Sequence, residues 1–219
     1  MAEKRKTDPL VVAQQIDAIL EVDSIGKLVE AYFEWPCFAG IDFDRLGQSD
    51  PNCFEPSDLL ALNLLDIRMG PAAIRRVLSG AFDQLLGKVD DDVDLWDSKM
   101  SQGTELRQSV QTLYSEIEKL PGVGRTTASK LLARKRPRLV PIRDGVVERQ
   151  LRISGNEFWS PLAAALSDDS ALSARRRIRV EGLAPSVDVS TLRRLDVAVW
   201  MIGSNSQNAR RARAEIGIE

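Results

Sequence analysis

The stretch from Thr104 to Pro137 constrains the fold most. Leu106, Val110, Leu113, Ile117 and Leu120 recur at steps of 4, 3, 4 and 3, the apolar stripe of one amphipathic helix. The stripe runs straight into Leu120-Pro121-Gly122-Val123-Gly124, and Ala128, Leu131 and Leu132 mark a second helix that Pro137 ends. A turn of this kind aims backbone N–H groups outward. Pro121 sets the entry angle, Leu120 and Val123 anchor the turn in the core, and Gly122 and Gly124 permit positive φ and the close approach of another backbone. The second helix then begins with unpaired amides, which makes the turn a candidate anion site. Arg125, Thr126, Thr127 and Lys130 can add charge and hydroxyl donors to a phosphate, a contact blind to base sequence.

The rest of the chain also reads as helical, with no convincing set of strands and no internal repeat. Residues 9–33 carry Leu10, Ala13, Ile16, Ile19 and Leu20, then Ile25, Leu28, Ala31 and Tyr32 after a break near Asp23-Ser24, which predicts two short helices. From Trp35 to Pro56 the periodicity lapses into a long loop with five Gly and Pro residues that still holds Trp35, Phe38, Phe43 and Phe54. Ser57 or Asp58 is the expected cap of a helix through residues 59–65, and Gly70-Pro71 opens another through Ile74, Val77 and Leu78. The aspartates at 90, 91, 92, 94 and 97 read as a solvated connection, and another helix is expected from about Gly145. Leu192, Leu195, Val199 and Ile202 give a last apolar stripe closing at Gly203, before a basic end with Arg210, Arg211 and Arg213.

Composition removes whole classes of chemistry. None of the 219 residues is histidine, so a Ser-His-Asp triad, a Cys-His dyad, a His-x-Glu deaminase site and an HNH-type nuclease are excluded. Catalysis must then use carboxylates, hydroxyls, lysines or a metal held by oxygens. Cys37 and Cys53 are too few for a disulfide framework, or for a four-thiolate zinc or iron–sulfur site if the chain acts alone. No membrane-spanning run and no apolar signal-peptide core is present, so a cytoplasmic protein without membrane contact is expected.

A net charge of −2 looks wrong for a nucleic-acid binder, but distribution matters more than sum. Residues 125–152 hold nine basic side chains, among them Lys130, Arg134, Lys135, Arg136, Arg138 and Arg143, against Asp144 and Glu148 alone, a local balance of +7. That field, with the hairpin, predicts salt-dependent DNA binding through Leu120 to Thr127, Lys130, Arg134, Lys135 and Arg136.

At these residues the sequence resembles the helix–hairpin–helix DNA glycosylase superfamily, of the endonuclease III and adenine-glycosylase type. The match is local, from about Thr104 to Leu151, and strongest over Leu120 to Ala128. In that family an aspartate follows the hairpin helix after a short extended stretch, and Asp144 lies 18 residues beyond Thr126, at the family interval. Bifunctional members carry a lysine where this chain has Thr126, so the resemblance implies a monofunctional enzyme in which Asp144 aligns or deprotonates a water while the base departs. Family members commonly have Val before the aspartate and Thr-His after it; here Arg143 precedes and Gly145-Val146 follow. The family's C-terminal cysteine cluster is missing, and no organic cofactor is implied. A monovalent cation on the hairpin carbonyls is allowed by the same analogy.

The resemblance implies an all-α, two-lobed helical bundle with a central cleft. The expected divisions are an N-terminal lobe at 1–97 with its aromatic loop at 35–56, a hairpin segment with Asp144 at 98–155, and C-terminal helices at 156–219 packing back on the N-terminal part. A monomer on double-stranded DNA is expected, with one base extruded. Trp35, Phe38, Phe43 and Asp44 are the candidate wall for that base, although core packing is the plainer role for the aromatics; Trp96, Trp159 and Trp200 are expected in the core. Asp144 is equally placed to cap a helix. Two other functions fit: a non-catalytic DNA-binding module using the same hairpin, and a Mg²⁺-dependent nuclease built on Asp97-Ser98-Lys99.

Overall fold

Six helices of this chain start where a short polar side chain accepts from their first turn. The computed structural model describes residues 7–47, 50–100, 103–154, 158–167 and 169–218, and among these it is all-α, with no strand. In chain order the helices are Pro9–Leu20 (α1), Ile25–Glu34 (α2), Asp42–Arg45 (α3), Pro56–Leu64 (α4), Pro71–Val77 (α5), Asp83–Leu86 (α6) and Glu105–Glu118 (α7). Arg125–Lys135 (α8), Gly145–Gln150 (α9), Trp159–Leu166 (α10), Ala171–Glu181 (α11), Thr191–Gly203 (α12) and Gln207–Ile216 (α13) follow, and Ser98–Met100 forms a single 3-10 turn. Asp8, Thr104, Asp144, Ser170, Ser190 and Ser206 cap α1, α7, α9, α11, α12 and α13 by accepting from backbone N–H groups. The cap of α4 is not Ser57 or Asp58 but Glu55, in a reciprocal box with Asp58. Pro56 fills the first helical position and pushes the boundary back.

The helices form two units, residues 1–40 with 143–219, and residues 41–142. The expected edges at residues 97 and 155 coincide with neither boundary. In the discontinuous unit α12 is the hub, packed against α1, α2, α9, α11 and α13. Its Leu192, Leu195, Val197, Ala198, Val199 and Met201 are all buried, so apolar residues surround most of its circumference. Val12, Ile16, Leu28, Val29, Leu162, Leu166 and Val180 complete this core. Each such burial removes apolar surface worth on the order of 1.5 to 3 kcal/mol.

Arginines tie the two ends of this unit together. Arg176 grips the Asp17 carboxylate with two bonds of 2.7 Å and donates to the Ala165 carbonyl at 2.7 Å. Arg193 lies 5.3 Å from the centre of the Tyr32 ring and donates to the Tyr32 hydroxyl at 3.1 Å and to Asp196 at 2.7 Å. Arg213, of the basic end, donates to the carbonyl of Ser204 at 3.0 Å. The bonds of Arg176, with the Ser170 cap and the buried Val180, hold the arginine-rich α11, Ala-Leu-Ser-Ala-Arg-Arg-Arg-Ile-Arg-Val-Glu, in place.

The 41–142 unit carries the hairpin. Leu113 and Ile117 of α7 and Leu131 and Leu132 of α8 are at most 1% exposed, so the two stripes read from sequence meet in one core. Phe43, Phe54, Leu62, Val77, Phe82 and Leu86 are buried in the same unit. Phe43, 1% exposed, is therefore core rather than pocket wall. No helix among the described residues is long and apolar enough to cross a membrane.

Candidate nucleic-acid interface

The turn between α7 and α8 is built as its sequence suggests at Gly122 and Val123 and differs at Gly124, while Leu120 is half-buried. Val123 is buried at 7% exposure and its N–H donates to the Leu120 carbonyl at 3.0 Å, closing the turn. Gly122 sits at φ +74°, in the left-handed region that a side chain adopts only at a cost. Pro121, Gly122 and Gly124 are exposed. Gly124, which its lack of a side chain permits at positive φ as well, is extended, at φ −106° and ψ −178°, as the residue from which α8 departs.

The start of α8 lacks the side-chain cap found at α1, α7, α9, α11, α12 and α13, and shares a glycine cap with α5. Its cap, Gly124, has no side chain to offer, and its first turn contains no acid. The amides of Arg125, Thr126 and Thr127 therefore lack both an intrahelical acceptor and a capping oxygen, and Arg125 is exposed beside them. Tyr114 on α7 donates its hydroxyl to the Arg125 carbonyl at 3.1 Å and fixes this end against its neighbour. Three outward amides, two hydroxyls and a guanidinium are a set of donors suited to a phosphate.

The far half of α8 does not extend that surface, a correction to the reading of the basic run. Lys130 is 8% exposed and donates to the Leu65 carbonyl at 3.1 Å. The Lys135 ammonium is 2.6 Å from Asp58 and donates to the Asp50 carbonyl at 2.8 Å. Arg134 donates to the carbonyls of Asp44 and Leu46, with its Nε 3.6 Å from Asp58. Arg136, 1% exposed, donates to the carbonyls of Pro51, Leu86, Val89 and Lys135 at 2.7 to 2.9 Å. Burial lowers its guanidinium from the ordinary range. Arg138 is held by Asp92 and Asp94, whose hydrogen bonds and charges raise it. These cations satisfy backbone carbonyls of the irregular segments around them, which would otherwise be buried without donors.

Asp144 caps α9, its Oδ1 accepting from the Val146 N–H at 2.7 Å. The preceding Arg143 is 5% exposed, stacks 5.4 Å from the Phe158 ring centre and donates to Glu148 at 2.5 Å. Asp144 lies in the discontinuous unit and the hairpin in the other; the chain crosses between the units at Ile142–Arg143, just before the aspartate.

The aromatic wall read from the loop divides the same way. Trp35 and Phe38 are half-buried and stacked, ring centres 6.4 Å apart, and with Tyr32 and Trp200 they form one cluster in the discontinuous unit. Sequence reasoning assigned Trp200 to the core; at half burial it belongs to this cluster. Phe43 and Asp44 belong to the other unit, where the Asp44 carbonyl accepts from Arg134. Asp97 accepts from the Lys99 N–H at 2.8 Å in the 3-10 turn, and the Lys99 ammonium lies 3.9 Å from Asp90. Among the described residues no three acidic or cysteine side chains are grouped to hold a metal ion.

These features define an all-α protein of two helical units, with an uncapped, exposed helix start at a tight turn in one and a capping aspartate at the crossover into the other. Residues 25–203 match the model of DUF6308, a family of unknown function, and the chain belongs to that family. No curated protein and no solved structure matches it.

Proposed function

We propose that the protein is a monofunctional DNA glycosylase that grips duplex DNA at the α7–α8 turn and hydrolyses the N-glycosidic bond of an extruded base. The observation that carries this reading is the position of Asp144. It follows the turn at the interval of the glycosylase superfamily that the sequence resembles, and it stands at the point where the chain leaves a continuous unit for one built from both chain ends.

In this reading the amides of Arg125, Thr126 and Thr127 hold one backbone phosphate, independent of sequence. The Asp144 carboxylate stabilises the cationic sugar as the bond from C1′ to the base nitrogen breaks. It accepts a proton from the water whose oxygen bonds to C1′, and the departing base takes up a proton from solvent. Thr126 has no amine, so no Schiff base forms and the strand stays intact. The turn offers backbone oxygen alone, with the Leu120 carbonyl already accepting from Val123, a donor set that suits a weakly held hard cation rather than a transition metal. Such an ion would add positive charge beside the phosphate; no bond-making step depends on it.

A second reading, a DNA-binding module without catalysis, is favoured by the hydrogen bond from Val146 to Asp144, since capping alone accounts for that residue. One experiment separates the two. Duplexes carrying uracil, alkylated, oxidised, mismatched or hypermodified bases are incubated with the protein and then treated with alkali. A glycosylase yields strand breaks only after alkali, and Asp144→Asn lowers the rate by at least about a hundredfold while keeping the cap, because asparagine caps as well as aspartate. Equal activity of variant and wild type, or no alkali-labile site on any duplex, refutes the enzyme.

A further inference from the structure

With the far half of α8 buried, the positive surface of the 41–142 unit must be sought elsewhere. Residues 67–82, Ile-Arg-Met-Gly-Pro-Ala-Ala-Ile-Arg-Arg-Val-Leu-Ser-Gly-Ala-Phe, contain three arginines between Asp66 and Asp83, the acids that flank the stretch. Arg68, Arg75 and Arg76 are all exposed, and none forms an ion pair among the described residues. Elsewhere in the unit Lys99, Lys119, Lys135 and Arg138 lie within 4 Å of a carboxylate, while Lys88 and Arg125 are exposed like the three arginines. Arg75 and Arg76 end α5, whose opposite side buries Ala73 and Val77, so the guanidinium groups are held outward by the packing of the helix. Arg68 lies on the loop before α5 and lines a groove of about 790 Å³ with Leu59, Asn63, Asp66, Met69 and Ile74. Leu65, the residue before the lining Asp66, accepts from Lys130 on α8, which ties this segment to the hairpin helix.

We infer that Arg68, Arg75 and Arg76 form a second DNA-backbone contact, taking phosphates of the same duplex that the α7–α8 turn holds. The inference rests on the proposed DNA-binding function and adds the surface that supplies its long-range attraction. Arg75 and Arg76 directly follow Ile74, which lines the same groove as Arg68, and each exposed guanidinium suits a phosphate geometrically. The turn alone contributes one full charge, Arg125, which is little for a protein that must bend or open a duplex.

The test is fluorescence-anisotropy titration of the full chain with an undamaged 20-base-pair duplex over a range of KCl concentrations. Each lost phosphate contact lowers the slope of log affinity against log salt by about 0.9, so Arg68→Gln/Arg75→Gln/Arg76→Gln should lower it by roughly 2 to 3. Arg175→Gln, an equally exposed arginine on α11, should leave it within about 0.5 of wild type. Circular dichroism of the triple variant should match wild type, since all three side chains are exposed. Wild-type binding with an unchanged slope in the triple variant overturns the second contact and leaves the turn standing. Absence of wild-type binding overturns the DNA-binding reading itself, and the inference with it. Binding of polyglutamate with comparable affinity assigns the patch to acidic protein rather than DNA and also overturns it.

Discussion

The two ends of α8 both carry cations, with opposite fates. Its first turn, Arg125-Thr126-Thr127, faces solvent with unpaired amides, whereas Lys130, Lys135 and, past the helix end, Arg136 are sunk among backbone carbonyls of the 41–142 unit. Arg125, Lys130, Lys135 and Arg136 are all cations, yet only Arg125 is positioned to meet a partner. The difference comes from what lies opposite. The irregular segments around Asp50 to Phe54 and Leu86 to Val89 bury carbonyls that no regular ladder satisfies, and long cationic side chains supply the missing donors. A positive stretch in a sequence can therefore be internal scaffolding as readily as an external field.

The sharpest way to break this contrast is to remove the buried anion. Asp58 has no exposed side-chain surface and faces Lys135 at 2.6 Å, so Asp58→Asn should cost about 3 to 5 kcal/mol in urea unfolding by leaving a buried ammonium without its counter-charge. A loss under 1 kcal/mol would mean that the buried half of α8 does not hold the unit together.

Next in size come two glycines of the turn. Gly122→Ala should cost about 1 to 2 kcal/mol, because φ of +74° is strained for a residue with a Cβ. Gly124→Ala has ordinary backbone angles and an open space for its Cβ, so its stability should stay within about 0.5 kcal/mol of wild type. Its duplex affinity should nonetheless fall about tenfold, near 1.4 kcal/mol, because the added methyl occupies the approach to the amides. Unchanged affinity in Gly124→Ala would remove the turn from the interface.

The smallest effect belongs to Arg125→Gln. The salt slope of DNA binding should fall by about 0.9, and stability should rise by about 0.3 kcal/mol, since a cation opposes the dipole at a helix start. A steeper slope in this variant would contradict phosphate contact at the first turn.

Much of the architecture was legible because it is local. The break at Asp23-Ser24 separates α1 from α2, the 4-3-4-3 stripe became α7, and Gly70-Pro71 opens α5, each set by caps, prolines and apolar spacing. The short α3 and α6, α10, the arginine-rich α11 and the basic α13 are not legible as helices in the sequence, and for α11 the reason is that tertiary bonds of Arg176 supplement a sparse apolar stripe. The patch at Arg68, Arg75 and Arg76 had a signal, sixteen residues with three arginines and no acid, but the denser run at 125–152 outweighed it.

The sequence by itself determined the helical class, the position of the turn, the absence of histidine chemistry and the cap at Asp144. Each follows from residue type or from spacing within a few positions. Only the tertiary structure decided which cations reach solvent, that Phe43 is core while Trp35 and Phe38 join Tyr32 and Trp200, and that residues 1–40 share a unit with 143–219. Those outcomes depend on what packs opposite each side chain, and the partners, such as Asp58 for Lys135 or Leu86 for Arg136, lie dozens of residues away.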